Sequence, residues 1–195
     1  MDEETRRSTL EKRRNTKFPA HDLPHFDDSA TDTYSVTGTN FEHVPILGKN
    51  PSRLSEFADR LQETLIAGKV EIEAWCLMRN HYHLLLRGEN AGDIRRRLGR
   101  LHGATSREWN LEDNCVGRKV WFRVFDKPIY SLRQFYSSLN YIHNNPVKAG
   151  YCKKMTEWEW SSIHEFLKRV GMEQARELWR AYPPVESNIG NRDVE

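Results

Sequence analysis

Residues 50–68 read NPSRLSEFADRLQETLIAG, and Leu54, Phe57, Ala58, Leu61 and Leu65 recur there every three or four positions. That spacing lines one face of an α-helix, and the Asn-Pro start and Gly68 stop are matching end signals. Ahead of it, residues 33–40 (TYSVTGTN) join β-branched and aromatic residues to a turn-like Gly-Thr-Asn, which predicts a strand. Residues 70–86 read VEIEAWCLMRNHYHLLL: Val70, Ile72 and Ala74 alternate with Glu71 and Glu73 before the run turns continuously apolar. Two strands joined by a tight turn at Arg79 and Asn80 explain this, the second covered on both faces. An arginine-rich helix follows over 91–109, then a short strand-like segment within 120–129 (VWFRVFDKPI), then a helix over about 132–145. The order strand, helix, strand, strand, helix, strand predicts an α+β fold: a ferredoxin-like or RRM-like antiparallel sheet with helices packed on it.

The ends carry less pattern. Residues 1–30 mix charge with Pro and Asp and have no apolar period, so a flexible basic arm is expected there. Residues 31–172 then form the folded domain, and 173–195 a partly mobile tail. A length of 195 residues suits one domain with a real core. The chain has no run of about 18 apolar residues, and MDEETRRSTLEKRRNTKF lacks the apolar stretch of a secretory signal. A soluble, cytoplasmic chain with no membrane partner is expected. Cys76, Cys115 and Cys152 are widely spaced and in no C-x-x-C pattern, which predicts reduced thiols.

A formal net charge of +2 conceals a cluster: Arg95, Arg96, Arg97, Arg100, Arg107, Arg118, Lys119 and Arg123 fall in one stretch. Two readings stand, a local basic field for a polyanion and a solvated helix face. Trp109, Trp121 and Phe122 lie in the same stretch and would serve either as platforms for unpaired bases or as core.

Candidate chemistry sits in two places. On a strand, side chains at i and i+2 share a face, so His81 and His83 project together with Cα atoms roughly 6.5 to 7 Å apart. Two imidazoles can hold one divalent cation and leave positions for a phosphate oxygen and water. The spacing fits a pair of hydrogen-bonded structural histidines equally well. In SSLNYIHNNPVKAGYC, Tyr141 and Asn145 stand at i and i+4 on one helical face, Lys148 just beyond is suited to a phosphate, and Pro146 disfavours helical backbone at Asn145. Tyr130, Tyr136 and Tyr151 are rival phenols nearby.

Taken together, MRNHYHLLLRG (78–88), YIHNNPVKAGY (141–151), WEWSSIHEF (158–166) and YSVTGTN (34–40) resemble the single-tyrosine HUH transposases, and most closely the REP-associated tyrosine transposases. His81, Tyr82 and His83 match the His-hydrophobic-His signature of HUH single-strand endonucleases; Arg79 stands where many relatives have Pro. The likeness covers about residues 33–168 in matching order. It implies that Tyr141 is the nucleophile, that His81, His83 and Asn145 ligate a divalent metal, Mg2+ or Mn2+, and that single-stranded or hairpin DNA is cut and rejoined through a 5′-phosphotyrosine. Arg95, Arg96, Arg97, Arg100, Arg123 and Lys148 are the expected backbone contacts. The alternatives are a hairpin-DNA-binding protein that keeps the fold without cutting and, less well matched in length, a replication initiator. Monomer and homodimer are both compatible with the sequence.

Overall fold

Tyr82 is fully buried between two histidines that point the other way, and the rest of the fold follows from that alternation. A computed structural model describes residues 31–88 and 90–184. The arm expected over 1–30 lies outside them. Strands β1 (Thr33–Thr39), β2 (Glu71–Leu77), β3 (His81–Arg87) and β4 (Phe125–Pro128) form one sheet in the order β2-β3-β1-β4, every neighbouring pair antiparallel. With α1 (Pro51–Ile66) between β1 and β2, and α2 (Ala91–Glu112) between β3 and β4, this is the expected α+β, ferredoxin-like arrangement.

Each helix starts where its sequence says. Asn50 Oδ1 accepts from Arg53 N at 2.8 Å to cap α1, and Asn90 Oδ1 accepts from Asp93 N at 3.1 Å to cap α2. Both helices cover one face of the sheet, where Leu54, Phe57, Leu61, Ile94 and Leu98 pack with Val36, Tyr82, Leu84 and Leu86. Three further helices, α3 (Leu132–Lys148), α4 (Ile163–Val170) and α5 (Met172–Ala181), form a second layer. Phe135, Leu139, Ile142, Phe166 and Leu178 pack there with Ala74, Cys76 and Leu85.

Three local features depart from the sequence expectations. The alternation of Ile72 and Ala74 breaks, because the β2–β3 register shifts between them: Ile72 pairs with Leu86 and Ala74 with Leu85. Ile72 therefore joins the core under α1 and α2, and Ala74 the core under α3, as a β-bulge at Glu73 requires. Secondly, α3 does not stop at Asn145 but runs through Pro146 to Lys148. Proline removes one helical hydrogen bond, and the last turn still closes through Ala149 N to Asn145 O at 2.9 Å and Tyr151 N to Pro146 O at 2.9 Å. Thirdly, the tail expected from residue 173 begins as helix: α5 buries Ala175 and Leu178, and Asn140 Nδ2 donates to the carbonyls of Leu178 (3.2 Å) and Tyr182 (2.6 Å).

Gly38 shows how closely β1 approaches β3. It pairs directly with Tyr82, and a Cβ there would lie 2.3 Å from the phenol ring. The ring cannot retreat, since its hydroxyl bonds His102 Nε2 at 2.9 Å and it packs against Phe57 and Trp121. Gly38→Ala is expected to lower stability by about 1 to 3 kcal/mol. The check is a lower urea midpoint with an unchanged slope; a midpoint equal to that of the native chain would contradict this packing.

Candidate active site

The face of β3 opposite Tyr82 carries His81, His83 and Leu85, and α3 packs onto β2 and β3 from that side. The two imidazoles meet edge to face with centroids 4.8 Å apart. Tyr141, from the middle of α3, lies edge to face against His83 at 5.4 Å. Asn145 follows one turn later on the same helical face, its Nδ2 donating to the Tyr141 carbonyl at 3.5 Å, and Lys148 Nζ stands 5.8 Å from the Tyr141 ring. Strand and helix, far apart in sequence, thus bring the imidazole pair and the phenol together.

Two residues expected only as turn and strand positions, Asn80 and Thr37, set the imidazoles. His81 Nδ1 donates to Asn80 Oδ1 at 2.7 Å, and Asn80 is itself held because its Nδ2 donates to the His43 carbonyl at 3.0 Å. His83 Nδ1 shares a hydrogen bond of 3.0 Å with the Thr37 hydroxyl, its cross-strand partner on β1. With both Nδ1 atoms engaged, Nε2 is the nitrogen left for a ligand in each ring, the orienting pattern usual around metal-binding histidines. Burial, and then the charge of His43, pushes the His81 pKa down to about 4; burial and then His81 push His83 well below the imidazole range. Both are neutral at pH 7, the form that ligates. No group of three or more His, Cys, Asp or Glu side chains that could hold a metal forms among the described residues. The Asn145 carboxamide, one turn beyond Tyr141, contacts the Tyr141 carbonyl, and the two imidazoles are the nitrogen donors that meet here.

The rival phenols are placed elsewhere. Tyr136 is buried, stacked on Tyr182 at 5.1 Å; Tyr151 lies against Trp158 at 5.2 Å; Tyr130 is exposed ahead of α3. His143 is a core residue bonded to Ser162 Oγ at 2.9 Å.

The expected backbone contacts separate into two groups. Lys148 joins the His81, His83 and Tyr141 cluster, but Arg95, Arg96, Arg97 and Arg100 sit on α2, which packs on the opposite face of the sheet. Arg95 is paired with Asp126 at 2.6 Å, Arg96 with Asp93, and Arg97 lies against Gly68 at the end of α1. Arg95 and Arg123 line a groove of about 440 Å³ between α2 and residues 118–124. Trp109 and Trp121, 3% and 7% exposed, are core residues and offer no stacking platform; Phe122 is exposed. Of the two roles open to these aromatics in the sequence, platform or core, both tryptophans take the second.

The chain resembles known proteins in both sequence and fold. Residues 46–145, half the chain, match the family described as Transposase IS200 like. The chain is 24% identical to the REP-associated tyrosine transposase of Escherichia coli K12 over 142 residues, 70% of this chain and 82% of that protein. It is 27% identical over 125 residues to a Haemophilus influenzae protein named to the same group, 59% of this chain and 71% of the other. In fold it is similar to a REP-associated tyrosine transposase solved bound to a REP hairpin, with a TM-score of 0.61 and 17% identity, covering 91% of this chain and 100% of that one. With that profile running from the loop before α1 to Asn145, and so through the histidine pair and the α3 phenol, the chain belongs to the IS200-like transposase family.

Proposed function

We propose that this protein cuts and rejoins single-stranded, hairpin-forming DNA through a covalent bond to Tyr141, using Mg2+ or Mn2+ held by His81, His83 and Asn145. The observation that carries the reading is the contact of Tyr141 with His83, an oriented imidazole beside a second one. A relative of this fold has been solved with a REP hairpin, which supports a hairpin as substrate class. Both groups come from one chain, so the reading needs no second subunit. Among the described residues no helix is long and apolar enough to cross a membrane.

The chemistry is a transesterification. When bound, the cation stabilises charge growing on the scissile phosphate. Asn80 and Thr37 fix the two rings, so no reorganisation is needed when the phosphate arrives. The Tyr141 oxygen loses its proton and forms a bond to phosphorus as the bond to the 3′ oxygen breaks; that oxygen leaves as a hydroxyl. A neutral phenol is a weak nucleophile, so its proton must be taken up as the new bond forms. One phosphodiester is exchanged for another, and a free 3′-hydroxyl reverses the step and joins strands without ATP.

The test is a labelled hairpin oligonucleotide incubated with the full chain and Mg2+ or Mn2+. A protein–DNA band that survives denaturation and disappears with EDTA is expected. DNA binding with no such band under either cation would overturn the proposal in favour of a non-cleaving hairpin binder.

A further inference from the structure

Phe125 is 52% exposed on β4, opposite the half-buried Thr37. It pairs with Thr37, and Thr37 pairs on its other side with His83. Directly opposed residues of antiparallel strands share a face, so His83, Thr37 and Phe125 form one row across the sheet. The next residue, Asp126, pairs with the buried Val36 and points to the other face, where Arg95 holds it at 2.6 Å. Phe125 therefore stands on the face of the imidazole pair, two strand spacings or roughly 10 Å from the backbone of His83. On this face α3 packs on β2 and β3 and leaves β4 open.

From this placement we propose that Phe125 is a stacking platform for an unpaired base next to the scissile phosphate, on a track of single strand that crosses the open half of the sheet. The proposal rests on the reading of Tyr141 and the histidine pair as the cutting site, and it names where the uncut strand lies. Charge agrees with a nucleic acid occupant: Lys127 is exposed on the same face one row along, paired with Ser35. Lys148 Nζ stands on that face as well, 5.8 Å from the Tyr141 ring. The one acid of residues 119–127, Asp126, is turned away and neutralised. An exposed aromatic among cations beside a phosphate-handling site is the arrangement that binds single strands without reading sequence. An isolated exposed apolar residue would need no such account; this one is in register with the site.

Two probes separate the possibilities: a blunt DNA hairpin, and the same hairpin with an unpaired oligothymidine flank carrying one 2-aminopurine. Binding is measured with EDTA present, so that no strand is cut. Phe125→Ala is expected to weaken the flanked probe by about 5- to 150-fold, the range for one lost base stack, and to leave the blunt probe within about twofold. Phe125→Trp should restore the affinity and the quenching of the 2-aminopurine. Equal loss on both probes, or no loss on either, overturns the proposal. A native protein that forms the covalent adduct while Phe125→Ala shows no selective loss defeats this inference alone; selective loss in a chain that never forms the adduct defeats the cutting site alone.

Discussion

Tyr141→Phe should leave a folded, DNA-binding protein that forms no covalent adduct, with strand cleavage reduced by a factor on the order of 10^4 or more, as for loss of a nucleophile. The substitution removes one oxygen and keeps the ring that packs against His83 at 5.4 Å, so the site's shape is unchanged. Tyr136→Phe and Tyr151→Phe are the controls. The first ring is buried against Tyr182 and the second lies against Trp158. Both variants should retain the adduct. If Tyr136→Phe abolished it and Tyr141→Phe did not, the nucleophile would be misassigned and α3 would have to move to deliver another phenol. Denaturing electrophoresis of end-labelled DNA reads all three variants in one gel.

Legibility followed range. Within one element the period decides which side chains share a face, and that is why the histidine pair, the Tyr141 and Asn145 face and the apolar side of α1 were all visible in sequence. The α+β order was visible for the same reason, since each segment declared its own period. What sequence could not supply was the choice between faces. Nothing in the run of arginines on α2 says that this helix covers the side of the sheet away from His83, because that choice is made by Ile94 and Leu98 meeting Leu84 and Leu86. Thr37 and Asn80 escaped notice on the same ground: an orienting hydroxyl is defined by β1–β3 register, a long-range property. Glu73 looked like an ordinary outward acid, yet the bulge there sends Ile72 and Ala74 into different cores. The helix α5 did leave a signal, Met172, Ala175, Leu178, Trp179 and Tyr182 at helical spacing, which was too short to read without the Asn140 amide that caps it.

Asp113→Ala should destabilise the fold by about 3 to 5 kcal/mol, the usual result of removing one member of a buried ion pair. Arg53, its side chain 4% exposed, donates to Asp113 from both terminal nitrogens at 2.7 and 3.1 Å and to Glu112 at 2.7 Å; it also reaches the Ile46 carbonyl at 3.1 Å. Asp113 is held as well by Lys49 at 2.5 Å and Arg118 at 2.8 Å. One carboxylate thus ties the start of α1 to the end of α2, beneath the cation contact of Arg53 with Trp109 at 5.2 Å. Without it the guanidinium stays buried with one half-exposed acid, Glu112, and the Ile46 carbonyl, and its Nε already lacks a partner. Total stabilities are typically about 5 to 15 kcal/mol, so the loss would be a large share. The pH dependence gives the assignment its second test. The hydrogen bond from Arg53, with those from Lys49 and Arg118, holds the Asp113 carboxyl far below the usual carboxylate range against the opposing effect of burial. A depressed folded pKa contributes stability that is complete above the unfolded value of about 3.9 and is lost as pH falls below it. The gap in urea midpoint between native chain and variant should therefore be widest near neutrality and shrink below about pH 4. Replacing both partners, Arg53→Met with Asp113→Leu, should recover part of the loss, because no unpaired charge is then left inside. A single variant that unfolds with the native chain at pH 7 would show that this network does not hold the two helices together.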